Sequence, residues 1–163
     1  MITITDSIQI DAPVEVVWRV TQDVERWPEW TPTVTSVRVV GGGELRLGSV
    51  ALIKQPAQPE SPWTVTELVP GRRFAWETRR TGLHLTAIHE LTPADGGTRN
   101  VLTVKASGFL SVVLLLLVRL AMRRALAEEN RGLKARCEQE LMHLTDGLIS
   151  PDVRAALRGV SAG

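Results

Sequence analysis

The sequence predicts an α+β domain in which a seven-stranded, curved antiparallel sheet wraps around one long C-terminal helix, with two short helices after the first strand. Three observations predict it. An alternating strand opens the chain, six further strand-like runs follow one another from Val34 to Ser107 at hairpin spacing, and the residues from Arg119 to Thr145 carry apolar side chains at helical spacing. With 163 residues, 44% of them hydrophobic and 23% charged, the chain has the composition of one domain with a substantial core. That domain is expected over 1–147, with 148–163 as a small, weakly amphipathic tail.

The first strand is read from Ile2, Ile4, Ile8 and Ile10, which share one parity, with Thr3, Thr5 and Gln9 between them. Asp11-Ala12-Pro13 then offers a capping residue and a proline suited to a first helical turn. Val14, Val17 and Trp18 place one apolar face on a short helix ending near Asp23. Asp23 to Trp30 reads as a second, single-turn helix closed by Pro28 and Pro32. The strands expected next are Val34–Val40, Ser49–Lys54, Trp63–Val69, Arg72–Arg80, Leu83–Leu91 and Thr98–Ser107. Between them lie Gly41-Gly42-Gly43, Pro56 to Pro62, Pro70-Gly71, Thr81-Gly82 and Asp95-Gly96-Gly97, all turn-forming.

In the long helix, Met122, Leu126, Leu133, Cys137, Leu141 and Leu144 form one stripe. Gly132 inside it costs about 1 kcal/mol relative to Ala, which predicts close approach of a neighbouring backbone. Gly147 reads as the stop. An unbroken helix from Leu110 to Thr145 would be about 54 Å long, against about 40 Å for a compact domain of this size. A break near Val118 to Leu120 is therefore expected, separating Phe109–Val118 as its own element.

Charge and cysteine content exclude several classes. The formal charge is +1, from 19 Lys plus Arg against 18 Asp plus Glu, so no whole-protein field favours nucleic acid. Cys137 is the sole cysteine, which excludes an internal disulfide and a Cys-rich zinc site, and no export signal opens the sequence; both features read as cytoplasmic. Phe109 to Val118 is hydrophobic at nine of ten positions, too short to cross a bilayer, which takes about 20 apolar residues. Six basic and two acidic residues lie between Arg119 and Arg136, and apolar plus basic is the composition of an interfacial anchor. The stretch 109–124 is therefore read as a lid, a homodimer contact or a membrane-surface contact.

The element order is the helix-grip arrangement, and the chain resembles the polyketide cyclase/dehydrase group of the START-like, birch-pollen-allergen-like (SRPBCC) superfamily. The resemblance rests on Ile10-Asp11-Ala12-Pro13 with Val17-Trp18, Asp23 to Trp30 with Pro32, Gly48, Trp63 to Glu67, Pro70 to Phe74, Leu91-Thr92-Pro93, Gly97-Thr98-Arg99 and Gly108, and covers roughly Thr3 to Leu144. It implies an elongated cavity between sheet and helix for an apolar, often polycyclic or acyl, ligand. It also implies polar side chains, tyrosine and arginine among them, where such proteins act as cyclases. This chain has no Tyr, and strand alternation turns Arg79 outward, so carriage of a hydrophobic small molecule is the leading expectation.

Strand parity selects the lining. If Phe74 and Trp76 face inward, so does Thr78; if Leu83, Leu85 and Leu91 do, so does His89, while His84 points out and cannot share a metal with it. Leu102 and Val104 line the last strand, Trp63 lies near Trp76, and Arg80 falls at the mouth. Phe109 and Leu126 close the predicted ligand site. His89 is the one candidate general acid/base for a cyclase or dehydratase alternative, with no acid or nucleophile visible beside it. No metal or cofactor is implied. Gly41-Gly42-Gly43 with Gly48 lacks the Lys-Ser/Thr of a phosphate loop and reads as a hairpin.

Overall fold

The computed structural model describes residues 1–148, and the side chains of all of these except 110–118 and 148. The chain runs β1 (Ile2–Ile10), α1 (Val14–Gln22), a 3-10 helix (Val24–Glu29), β2 (Ser36–Val39), β3 (Val50–Lys54), β4 (Ser61–Val69), β5 (Arg73–Arg80), β6 (Leu83–Ala94), β7 (Gly97–Ser107) and α2 (Phe109–Leu148). The seven strands form one antiparallel sheet in the order β1-β7-β6-β5-β4-β3-β2. β2 to β7 are a meander, and β1 closes beside β7. The expected tail lies, from residue 149 on, outside the described residues.

Register arranges the concave face in transverse rows. One row runs Ile2, Ala106, Leu85, Thr78; the next Ile4, Val104, Ala87, Trp76, Val65; the next Asp6, Leu102, His89, Phe74; and the last Ile8, Asn100, Leu91. Between Val65 and Glu67 the β4–β5 register slips at Thr66, a bulge that bends the strand and increases the local twist.

Asp11 was expected to cap α1 and does not. Val16 and Val17 donate to the Pro13 carbonyl at 3.0 and 3.1 Å, with no side-chain cap. Asp11 instead ties the end of β1 to α2. Its backbone N–H donates to Glu138 Oε1 at 2.9 Å and its carboxylate meets Lys134 Nζ at 3.3 Å. Asp23 likewise makes no side-chain cap on the 3-10 helix.

The expected break near Val118 to Leu120 is absent. α2 is one helix of 40 residues, about 60 Å long, so it overruns the sheet instead of breaking. Leu126, Leu133 and Cys137 are buried along its inner face, Met122 and Leu141 pack partly buried, and Leu144 is exposed. Gly147 falls inside the helix, one residue before its end. At Gly132 a Cβ would lie 2.2 Å from the Trp30 carbonyl oxygen, so the glycine lets α2 pass against the end of the 3-10 helix.

Candidate functional site

The concave face is apolar except at a few positions, and α2 adds polar groups opposite them. His89 sits in the middle of β6, 3% exposed. Its ring lies almost parallel to Phe74 at 5.4 Å and tilted against Trp27 at 5.1 Å. Trp27 also meets Trp76 edge-on at 5.3 Å, and Trp76 meets Trp63 at 5.6 Å. Burial pushes the His89 imidazole down to about 3, because the charged form would lose its hydration. His89 is therefore neutral at neutral pH.

The sequence offered no acid beside His89, and the fold corrects that. Glu129 of α2 brings Oε1 to 3.7 Å from His89 Nε2, with the carboxyl side chain 16% exposed. Thr33 Oγ1 donates to Glu129 Oε2 at 3.3 Å, and Thr31 and Thr33 share a hydroxyl contact of 2.9 Å. Burial lifts the Glu129 carboxyl to about 7, against the lowering effect of the Thr33 hydrogen bond. A carboxyl near 7 is poised to give or accept a proton at neutral pH.

Four strands contribute polar atoms left without a partner. Trp63 Nε1, Thr78 Oγ1 and His89 Nδ1 are buried without a partner among the described residues, as is Asn100 Oδ1. Trp63 precedes Thr64, whose ladder partner is Glu77, so Trp63 comes alongside Thr78. Each such atom costs about 1–3 kcal/mol relative to a satisfied one, a penalty uncommon outside functional sites. Beside them the face turns softer. Leu83, Leu85, Val104 and Met122 are only partly buried, so apolar surface remains open next to the polar floor.

A second polar line braces α2 to the sheet. Asn100 Nδ2 donates to Asn130 Oδ1 at 2.6 Å, and Asn130 Nδ2 donates to Asp6 Oδ2 at 2.7 Å. Asn100 and Asn130 are essentially inaccessible. Cys137 packs in the core with its thiol pushed up to about 12, which leaves it protonated and unreactive.

Of the residues the sequence selected, Trp63, Trp76, Thr78, His89, Leu102 and Leu126 are buried, and Val104 is partly buried. Arg80 and Phe109 stand apart. Arg80 is exposed and its Nη2 donates to the Pro59 carbonyl at 3.0 Å, while Phe109 is 75% exposed. His84 faces the other side of the sheet, 2.8 Å from Glu77. Sequence reasoning passed over Glu129, Asn130, Asp6 and Trp27. A signal for three of them was present: Asp6 shares the parity of Ile4 and Ile8, and Glu129 and Asn130 lie three and four residues after Leu126, near the apolar stripe. Two surface clefts lie outside this region. One, of about 430 Å³, is bordered by Arg19, Asp23, Glu25 and Glu44, and the other, of about 410 Å³, by Arg136, Glu140 and His143.

Solved structures share this architecture. An aromatase/cyclase from Streptomyces sp. R1128 is 17% identical with a TM-score of 0.70, over 86% of this chain and 95% of that one. A START superfamily protein from Mycobacterium smegmatis is 15% identical with a TM-score of 0.68, over 84% and 97%. A hypothetical protein from Helicobacter pylori reaches a TM-score of 0.74 at 15% identity, over 83% and 88%. At such identities the likeness is one of fold. No curated protein matches the chain in sequence. The family model described as polyketide cyclase / dehydrase and lipid transport matches residues 1–138, and with the seven-stranded grip around α2 this places the chain in that family.

Proposed function

We propose that the protein binds a hydrophobic small molecule that carries an oxygen function, such as a carbonyl or hydroxyl group. The observation that supports this most is the set of unpaired buried atoms, Trp63 Nε1, Thr78 Oγ1 and His89 Nδ1, on one mostly apolar face. An indole N–H can only donate, and a hydroxyl can do either, so an oxygen acceptor suits both. The partly buried Leu83, Leu85, Val104 and Met122 supply the apolar wall for the rest of the molecule. Native mass spectrometry of freshly purified protein, followed by extraction and identification of retained material, tests the reading. A retained oxygenated lipid or ring compound, bound less tightly by Trp63→Phe and Thr78→Val, supports it. A protein that retains nothing and binds no fatty acid, sterol or polyketide-like probe overturns it.

The His89–Glu129 pair favours a second reading, catalysis of a cyclisation or dehydration on a polyketide-like chain. A neutral imidazole beside a carboxyl that titrates near 7 is a usable acid/base couple. His89→Ala that binds ligand normally and loses turnover supports catalysis; unchanged turnover leaves binding alone.

A further inference from the structure

Among the described side chains of α2, none before Glu129 adds a polar group to the buried floor. Its sequence is hydrophobic at nine of ten positions from Phe109 to Val118, and Arg119, Arg123 and Arg124 follow with no acidic residue before Glu128. Phe109 is 75% exposed and Leu120 62% exposed, and Arg119, Ala121, Arg123 and Arg124 are exposed as well. Arg119 stands one heptad before Leu126 and two before Leu133, on the helix face that both residues bury. It is nevertheless exposed.

Charge is distributed unevenly along α2. In the second half Lys134 pairs with Asp11 and Glu138, and Arg136 with Glu29 and Glu140. Arg119, Arg123 and Arg124 make no ion pair among the described residues. Three exposed cations without an ion pair, next to an apolar helical run, suit an anionic partner with an apolar layer beneath it. A second copy of this segment would bring three more arginines and no carboxylate, so like charges oppose self-association there.

We propose that 109–124 docks on an anionic lipid surface, with the apolar run entering the interfacial layer and the three arginines meeting lipid phosphates. Ten residues make about 15 Å of helix, half of the hydrocarbon thickness of about 30 Å. The segment therefore lies in one leaflet's interface. Its exposed residues, Phe109, Arg119, Leu120, Arg123 and Arg124, are not those of the ligand floor or its apolar wall, so either reading can fail without the other.

Sedimentation of the full chain with extruded vesicles tests it. Vesicles of phosphatidylcholine mixed with phosphatidylglycerol should carry the protein down, those of phosphatidylcholine alone should carry little, and added salt should weaken the binding. The triple variant Arg119→Gln, Arg123→Gln, Arg124→Gln should bind on the order of a hundredfold more weakly, with unchanged circular dichroism and melting temperature. Leu120→Asp, at an exposed site, should weaken binding and also keep its fold. The proposal is overturned by failure to sediment with the mixed vesicles, by full binding in the triple variant, or by a dimer that buries the segment and persists with vesicles present.

Discussion

Glu129 Oε1 stands 3.7 Å from His89 Nε2, joining the centre of the sheet to the middle of the long helix inside the core. The contact is longer than a hydrogen bond, and burial drives both groups toward their neutral forms: the imidazole down, the carboxyl up. A neutral imidazole and a carboxyl that titrates near neutral pH thus face each other among aromatic rings.

This pair sets an unusual pH dependence of stability. Glu129 titrates at about 7 in the fold against an ordinary 4.5, so its contribution is full below 4.5 and is lost as pH rises through 7. His89 titrates at about 3 against 6.5, so its contribution is full above 6.5 and is lost as pH falls through 3. Between 4.5 and 6.5 the two oppose each other. Glu129→Gln removes the first effect. Relative to the parent, this variant should gain up to about 3 kcal/mol on going from pH 4.5 to pH 8. Urea denaturation at both values measures it, and an equal difference at the two would contradict the assignment.

Thr78→Val deletes a buried hydroxyl that has no partner. The ligand-free protein should be stabilised by about 1 kcal/mol, while affinity for an oxygenated ligand should fall about tenfold. Thermal denaturation and binding titration of one variant therefore move in opposite directions. Destabilisation of the ligand-free form would mean that the hydroxyl is satisfied.

Gly132→Ala tests the crossing of α2 and the 3-10 helix. Helix propensity alone favours Ala by about 1 kcal/mol. The added Cβ would collide with the Trp30 carbonyl at 2.2 Å, so a net loss of about 2 kcal/mol is expected. A higher melting temperature would refute the close approach.

Asn130→Ala strips partners from both Asn100 Nδ2 and the Asp6 carboxylate. A loss of about 2–4 kcal/mol is expected from the two stranded groups. Asn130→Ala combined with Asp6→Ala and Asn100→Ala should lose less than the three single effects summed, because the network is shared.

What the sequence determined by itself was whatever a local pattern can carry. Period-2 alternation placed Ile2 to Ile10 and the six later strands, turn residues placed the hairpins, and the stripe through Leu126, Leu133 and Cys137 placed the inner face of α2. Parity alone turned His89 and Thr78 inward and His84 outward. Even the close approach at Gly132 was legible, because a helix interior tolerates glycine only at a cost.

Tertiary structure decided everything that joins distant parts of the chain. His89 and Glu129 are forty residues apart, and only the curvature of the sheet around α2 brings them to 3.7 Å. Asp6 reaches Asn130 for the same reason. The helix expected to break instead runs unbroken from Phe109 to Leu148, since a break in an apolar run would give up backbone hydrogen bonds. Burial then assigned the proton affinities, because a local sequence pattern does not report how much water a folded core removes from an imidazole or a carboxyl.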